Sequence, residues 1–217
     1  MSVIVKICGL KESEPLEAAL SGGADMVGFV FFEKSPRHVA LEQARRLSAQ
    51  ARGQAEKVAL VVDADDARIG AIVEALAPDW LQLHGSESPE RTAHLRKVFG
   101  RPILKALGVS EKADLVRAAA YEKIADRLLF DAKPPKDAAL PGGNGLAFDW
   151  ALLSDYAAAS ANRNWMLSGG LDPQNVAEAI RVTGAPGVDV SSGVERAPGE
   201  KSVEKILAFI AAARAAA

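Results

Sequence analysis

Cysteine is almost absent from this sequence, which has one, Cys8, among 217 residues. A single cysteine cannot form an intrachain disulfide, so we expect a protein of a reducing compartment. The N-terminus enters the apolar run Val3-Ile4-Val5 with no basic segment or cleavage site before it, which argues against a secretory signal. Together these two features predict a cytoplasmic protein.

Long apolar runs and a strong net charge are also missing. The longest apolar stretch, residues 206–217, carries Arg214 and is too short to span a bilayer. The formal net charge is -2, so no strong field attracts nucleic acid or an anionic membrane. No spacing of cysteine, histidine and carboxylate side chains is typical of a metal site. We therefore expect no nucleic-acid or membrane partner, no metal and no cofactor.

Short aliphatic segments alternate with alanine- and charge-rich segments of helical period along the chain. This alternation predicts strands near residues 3–8, 26–31, 57–62, 80–84, 102–107, 127–131, 164–168 and 187–191. It predicts helices near residues 14–21, 40–52, 65–76, 88–99, 111–122, 148–159, 173–182 and 201–215. Eight such units imply a parallel sheet. Because no glycine-rich turn follows the first strand, we favour a single (β/α)8 TIM barrel over residues 1–217 rather than an open doubly wound sheet.

One connection, residues 132–147 between the sixth strand and its helix, is unusually long. Long loops inside compact domains are usually functional. Gly142, Gly143, Asn144 and Gly145 give this loop conformational freedom near its end. We interpret the loop as an active-site lid, with a tolerated surface insertion as the alternative.

Polar side chains interrupt five predicted strands, although strands covered on both faces should be apolar. They lie at or near the carboxyl ends of the strands, where barrel enzymes place their chemistry: Lys6 and Cys8, Gln82 and His84, Lys105, Asp131, Asp189 and Ser191. A thiol at Cys8 and a carboxyl at Asp131 can give and take a proton in one reaction. Lys6 shares a face with Cys8 and is expected to favour the thiolate. His84 either orients its neighbours or contacts a ligand, while an inert buried Cys8 and a backbone-capping Asp131 are the structural alternatives.

Two small-residue loops after the last two predicted strands are suited to hold an anion. Glycines and serines there leave backbone N–H groups free, and this end of a barrel commonly binds phosphate: Gly169, Gly170, Ser191, Ser192 and Gly193. Arg37 follows the second strand on a proline-stiffened loop, where it could clamp a carboxylate with two parallel hydrogen bonds. A solvated loop charge is the alternative for Arg37.

Motifs along the whole chain, in order from the first strand to the eighth, resemble those of the phosphoribosylanthranilate isomerases of tryptophan biosynthesis. They are Lys6-Ile7-Cys8-Gly9, Gly28-Phe29-Val30-Phe31, Ser35-Pro36-Arg37, Leu81-Gln82-Leu83-His84-Gly85, Phe130-Asp131, Gly143-Asn144-Gly145, Phe148-Asp149-Trp150, Ser168-Gly169-Gly170-Leu171 and Asp189-Val190-Ser191-Ser192-Gly193-Val194-Glu195. No single motif is specific, but the combination is. The chain departs from many members of that family after Asp131, where a longer insertion replaces a short Asp-Ser-Gly loop.

The resemblance implies a reaction and a role for each matching residue. The reaction is the Amadori rearrangement of N-(5'-phosphoribosyl)anthranilate to 1-(2-carboxyphenylamino)-1-deoxyribulose 5-phosphate. Cys8 would be the general base, Asp131 the general acid and Arg37 the ligand of the anthranilate carboxylate, with the phosphate against the two small-residue loops. Supporting positions are Lys6, Gln82, His84, Asp189, Gly143, Asn144 and Gly145. Asp131 would have to carry a proton when substrate binds, and Cys8 would need a lowered pKa.

Three alternatives stay open at this point. The histidine-pathway isomerase performs the same rearrangement on another aglycone, but it uses an aspartate where this chain has Cys8. Indole-glycerol-phosphate synthase requires catalytic lysines on a larger chain, and only Lys6 and Lys105 are available for that role here. A non-catalytic barrel that binds a sugar phosphate is the third, because fold alone does not establish function. We expect a phosphorylated small-molecule substrate and a monomer, since no long exposed apolar stripe stands out.

Overall fold

The computed structural model describes residues 3–133, 142–143, 148–159 and 164–216. Eight parallel strands close into a barrel in sequence order. They are β1 Ile4–Cys8, β2 Met26–Val30, β3 Glu56–Val61, β4 Trp80–Leu83, β5 Ile103–Val109, β6 Arg127–Ala132, β7 Trp165–Leu167 and β8 Gly187–Val190. The predicted eight-stranded (β/α)8 barrel is therefore confirmed.

Helices follow the strands and cover the outside of the barrel. They are α1 Ser13–Ser21, α2 Leu41–Ala51, α3 Asp66–Leu76, α4 Pro89–Phe99, α5 Lys112–Val116, α6 Ala151–Ala159, α7 Val176–Thr183 and α8 Val203–Ala215. Within the part of the chain that the structure describes, none of them has the length and apolarity needed to cross a bilayer.

Three helices differ from the prediction by three residues or more at one end. Helix α6 begins at Ala151 rather than near 148. The helix predicted at 111–122 ends as α5 at Val116 and continues only as a 3₁₀ turn to Ala120. Helix α7 begins at Val176 rather than near 173, because the carboxylate of Asp172 accepts the N–H groups of Gln174 and Asn175 in a turn that precedes it. In all three cases the sequence pattern extends beyond the regular helix.

An antiparallel hairpin that the sequence did not predict follows β8. Its strands are β9 Glu195–Ala197 and β10 Glu200–Lys201, and they lie outside the barrel ladder. A short 3₁₀ turn, Ser192–Val194, connects the hairpin to β8. The hairpin brings Ser202 back beside Val194, and the N–H of Ser202 donates to the carbonyl of Val194 at 2.9 Å before α8 begins.

The inside of the barrel has an apolar lower layer and a polar upper layer. The lower layer is a buried cluster contributed by five strands: Met26, Val58, Leu104, Ala106, Leu129 and Met166. A much larger apolar cluster packs between the strands and the helices. Burial of these two clusters excludes water from the barrel below the level of the polar side chains. The cavity that the described residues enclose inside the barrel lies at the carboxyl ends of the strands.

Candidate active site

One cavity lies at the carboxyl ends of the strands and brings together most of the residues singled out from the sequence. It encloses about 790 Å³, including its open mouth. The sequence-predicted residues that line it are Cys8, Arg37, His84, Asp131, Gly143, Gly169, Gly170, Asp189, Ser191 and Ser192. These positions span the chain from β1 to the loop after β8, so the barrel closure is what assembles them.

Cys8 is the last residue of β1, and its thiol is buried against β2. A Cβ atom added at Gly28 would lie 2.7 Å from Sγ of Cys8, so the glycine provides the room for the thiol. Burial raises the pKa of Cys8, and the positive charges of Lys6 and Lys201 offset this only in part. The expected lowering of the Cys8 pKa is therefore wrong.

Besides burial, the ion pair that Lys6 forms with Asp189 acts against the thiolate. Nζ of Lys6 is fully buried and lies 2.6 Å from Oδ1 of Asp189, whose own negative charge opposes formation of the thiolate. Burial acts to lower the pKa of Lys6, but Asp189 and Cys8 together raise it above its ordinary value. The Oγ of Ser168 donates to the other carboxylate oxygen of Asp189 at 3.3 Å. Lys6 thus acts mainly as half of a buried ion pair beside the thiol.

The carboxyl of Asp131, near the end of β6, is held from two sides. Its Oδ1 accepts the N–H of Ala132 at 2.9 Å, and its Oδ2 lies 3.2 Å from Nε2 of His84. Nδ1 of His84 lies 3.0 Å from Nε2 of Gln82. A Cβ added at Gly142 would lie 2.6 Å from both Asp131 Oδ2 and His84 Nε2, so only a glycine can pass there. Gln82 and His84 therefore form a chain that ends at the carboxyl.

Arg37 is buried rather than solvated, so it is not a free loop charge. Its Nε donates to Oε1 of Glu195 at 2.7 Å and its Nη2 to Oε2 of the same carboxylate at 2.8 Å. Nη2 also donates to the carbonyl of Gly143 at 3.2 Å. The side of the guanidinium that carries Nε is therefore already paired with protein, while Arg37 still lines the cavity.

Glu195 and Lys201 lie behind the cavity wall and hold Arg37, a role that the sequence did not reveal for either of them. Nζ of Lys201 donates to Oε1 of Glu195 at 2.8 Å and to the carbonyl of Ser191 at 2.7 Å. Burial lowers the pKa of Lys201 to about 8, although Glu195 acts to raise it. Arg37 and Lys201 hold the pKa of Glu195 below its ordinary value in spite of burial. In the sequence, Glu195 was noted only as the last residue of the motif that begins at Asp189. Nothing in the sequence marks Lys201 as buried.

The loops after β7 and β8 border the same end of the cavity. Gly169 has a φ of +84°, and a Cβ there would lie 2.5 Å from the backbone nitrogen of Ala132. Gly193 does not line the cavity: a Cβ there would lie 1.9 Å from the carbonyl oxygen of Leu171, so it packs the two loops against each other. The predicted anion-holding residues are thus brought together, with Gly193 behind the wall.

Lys105 was grouped with the rim residues, and the structure corrects this. Its Nζ is buried in the layer outside the barrel, 2.8 Å from Oε2 of Glu87, and donates to the carbonyl of Gly85 at 2.8 Å. Both faces of β5 are buried, so a polar residue there does not reveal which way it points. Of the five strands for which polar side chains were predicted at the rim, four have one at the cavity: β1, β4, β6 and β8.

Part of the predicted lid lies outside the described residues, including Asn144 and Gly145. At the start of that loop, Nζ of Lys133 lies 2.8 Å from Oδ1 of Asp114. Hydrogen bonds and this ion pair lower the pKa of Asp114 to about 2, against the effect of burial. Within the described residues, no group of three or more histidine, cysteine or carboxylate side chains is placed to hold a metal ion.

Known proteins with similar sequences and structures agree on one family. The family model described as N-(5'phosphoribosyl)anthranilate (PRA) isomerase matches residues 5–212. A relative of that name from Rhodopseudomonas palustris (strain BisB5) is 61% identical over 215 residues, covering 99% of this chain and 97% of the relative. The crystal structure of phosphoribosyl anthranilate isomerase from Thermotoga maritima is 36% identical, with a TM-score of 0.87 over 98% of this chain and 99% of that one. A further structure, the isomerase in complex with reduced 1-(o-carboxyphenylamino)-1-deoxyribulose 5-phosphate, is 35% identical, with a TM-score of 0.85 over 98% of this chain and 99% of that one. The chain belongs to the N-(5'-phosphoribosyl)anthranilate isomerase family.

Proposed function

We propose that this chain converts N-(5'-phosphoribosyl)anthranilate to 1-(2-carboxyphenylamino)-1-deoxyribulose 5-phosphate by an Amadori rearrangement, in tryptophan biosynthesis. The observation that carries the proposal is a thiol, Cys8, and a carboxyl, Asp131, lining one cavity that also has an arginine and two small-residue loops on its wall. The molecule bound in the related structure has a carboxylate at one end and a phosphate at the other. In this cavity, Arg37 is suited to the carboxylate, and the small-residue loops after β7 and β8 are suited to the phosphate.

The two ends of the substrate are held by different parts of the wall. The phosphate lies against backbone N–H groups of the β7 and β8 loops, at Gly169, Gly170, Ser191 and Ser192, where small residues leave room for close approach. Gly193, behind the wall, packs the two loops against each other. The anthranilate carboxylate meets Arg37 through Nη1, because Nε and Nη2 are already paired with Glu195 and Gly143. Anchoring both ends orients the ribose between Cys8 and Asp131.

The acid step belongs to Asp131. Its protonated carboxyl donates to the ring oxygen of the ribose, the bond between C1 and that oxygen breaks, and the nitrogen lone pair forms a C=N bond to C1. The ring opens to a protonated Schiff base with no change in oxidation state. The contact of Asp131 Oδ2 with His84, itself bonded to Gln82, keeps the carboxyl aimed during this transfer. An acid placed in this way contributes roughly 10²–10⁴ in rate.

The base step belongs to Cys8. Its thiolate removes the proton from C2, the C–H electrons form a C1=C2 bond, and the C=N electrons return to nitrogen. The resulting enolamine loses its C2 hydroxyl proton and gains one at C1, which gives the ketone. The protons and electrons balance within the substrate, so the reaction requires no cofactor. Because the pKa of Cys8 is raised, the reactive thiolate is the minor form at neutral pH.

Growth rescue tests the proposal in a cell. A tryptophan auxotroph lacking this isomerase should grow when it expresses the unaltered chain, and should not grow with Cys8→Ala. Asp126→Asn is the control, because Asp126 precedes β6 at the end of the barrel opposite the cavity and pairs with Arg96. Failure of the unaltered, soluble chain to rescue growth would exclude the proposed function.

A purified enzyme assay separates the proposal from the sibling reaction. The chain should rearrange the anthranilate glycosylamine of ribose 5-phosphate and not the glycosylamine of the histidine pathway. Turnover of the second substrate alone would assign the chain to the other pathway. Binding of either without turnover would leave a sugar-phosphate-binding barrel.

A further inference from the structure

We propose that Glu195 is a positioning residue that fixes which edge of Arg37 faces the cavity, and so sets the preference for an aglycone that carries a carboxylate. The inference rests on the proposed function, because it takes Arg37 as the residue that binds the carboxylate of the anthranilate. Glu195 itself does not line the cavity. Its effect on substrate would therefore pass through the arginine.

The geometry of the pair supports this role. Both residues are buried, and the two carboxylate oxygens of Glu195 face Nε and Nη2 of Arg37 at 2.7 and 2.8 Å. A guanidinium has five N–H donors in a rigid plane, so two parallel bonds fix the orientation of the whole group. The other N–H of Nη2 donates to the carbonyl of Gly143. Among the described residues, neither N–H group of Nη1 has a hydrogen-bond partner, and Nη1 lies on the edge that carries no bond to Glu195.

Glu195 is in turn held by donors that do not belong to Arg37. Oε1 also accepts from Nζ of Lys201 at 2.8 Å, and Oε2 accepts the N–H of Gly199 at 3.1 Å. Gly199 has a φ of +81°, and a Cβ there would lie 2.6 Å from the carbonyl oxygen of Pro36. The β9–β10 hairpin therefore packs directly on the loop that carries Arg37, and it fixes the carboxylate before any substrate arrives.

The charges of this cluster complement a carboxylate. Glu195 lies between two cations, Arg37 and Lys201, so one positive charge remains unmatched within the trio. The pKa of Glu195 is lowered, which keeps it ionised. Only Arg37 of the trio reaches the cavity wall. A carboxylate at the free edge of Arg37 would neutralise the unmatched charge.

Glu195→Gln is the variant that probes this arrangement. The amide keeps the shape of the side chain, but its NH₂ group would face an N–H donor of Arg37 or Lys201. At least one of the two parallel bonds to Arg37 is then lost, and the guanidinium is free to turn. Glu200→Gln is the matched control, because it makes the same chemical change at an exposed position of the same hairpin.

The measurement is a ratio of kcat/KM for two glycosylamines of ribose 5-phosphate, one made with anthranilate and one with aniline. Aniline lacks the carboxylate and is otherwise the same aglycone. The ratio cancels the fraction of active enzyme, so partial misfolding does not change it. In Glu195→Gln we expect the preference for the anthranilate substrate to fall about tenfold or more, through KM rather than kcat. Glu200→Gln should keep the ratio of the unaltered enzyme.

An equal loss on both substrates, or an unchanged ratio, would overturn the role of Glu195. If the single variant does not fold, Glu195→Gln combined with Lys201→Met removes the unpaired ammonium, and the same fall in the ratio is expected. Arg37→Lys should also lower the ratio, and an unchanged ratio there would overturn the inference. Absence of anthranilate-substrate turnover in the unaltered enzyme would instead contradict the proposed function itself.

Discussion

The thiol of Cys8 lies beside a buried lysine and yet is not activated by it. Lys6 is matched by Asp189 at 2.6 Å, and burial of the sulfur dominates the pKa. From the sequence, the positive charge two residues away was visible, but its partner 183 residues further along was not. The charge effect predicted from one strand is therefore opposed by Asp189 on the neighbouring strand and outweighed by burial of the sulfur.

A prediction on pH follows from that thiol. An acid with a raised pKa is mostly protonated at neutral pH, so the thiolate fraction should be small there and should rise about tenfold per pH unit between roughly pH 6 and 8. Ultraviolet absorbance of the thiolate measures the same group directly, because Cys8 is the only cysteine of the chain. The Cys8→Ser variant supplies the baseline, and its difference spectrum should show little thiolate below pH 8. A thiolate already formed at pH 6 would contradict the raised pKa.

Gly28 provides a second test at the residue scale. A Cβ there would lie 2.7 Å from Sγ of Cys8, so Gly28→Ala should turn the thiol away and lower kcat roughly 10²-fold, as a displacement of about 1 Å can do. Gly70→Ala is the control: Gly70 lies in α3, where a Cβ would only touch Phe99 at 3.9 Å. The control should keep full activity and gain about 0.5–1 kcal/mol of stability. Unchanged kcat in Gly28→Ala would show that the thiol does not need this space.

Among the elements, the strands were predictable and the last hairpin was not. Each barrel strand is a buried aliphatic run, whereas β9 and β10 are three and two residues long and too short to show alternation. Lys201 in β10 is polar and was assigned to the start of the last helix, although the ion pair with Glu195 buries it. Helix α7 began late because the Asp172 turn has the same residues as a helix start. These differences arise from tertiary contacts that local patterns do not contain.

The position of Lys105 also depends on a tertiary contact that the local sequence does not contain, and it leads to a prediction on stability. Its pair with Glu87 is buried outside the barrel, so the two side chains should support the fold and not the chemistry. Glu87→Gln leaves a buried ammonium without its counter-ion and should lower the free energy of unfolding by about 3–5 kcal/mol. Denaturant titration measures this loss, while kcat per folded molecule should stay within a few-fold of the unaltered value. A drop in kcat without loss of stability would place Lys105 back in the site.

For the whole molecule, family motifs and barrel topology were enough to place most of the site. Cys8, His84, Asp131 and Asp189 come from different strands, and each lies near the carboxyl end of its strand, so barrel closure alone brings them together. The sequence did not reveal the ion pairs that Glu195 forms behind the cavity wall. The bonds of Glu195 to Arg37 and Lys201 depend on how a loop and a hairpin pack, which strand order does not specify.

The association state is a prediction at this scale. Among the described residues, the exposed large hydrophobic side chains are on four separate helices: Val98, Val116, Val182 and Leu207. Scattered apolar side chains do not form the contiguous patch of a stable interface. We therefore expect a monomer, although a related Thermotoga maritima enzyme is described as dimeric. Sedimentation at micromolar concentration measures this, and a stable dimer would contradict it.

The most direct test of the proposed chemistry is the kcat of purified Cys8→Ala and Asp131→Asn on N-(5'-phosphoribosyl)anthranilate, measured beside their affinity for a product analogue. Each variant should lose about 10²–10⁴ in kcat while binding the analogue nearly as well as the unaltered enzyme, because each removes a proton-transfer group and leaves the anion sites in place. Near-normal kcat in either variant would show that the thiol and carboxyl in this cavity are not its base and acid.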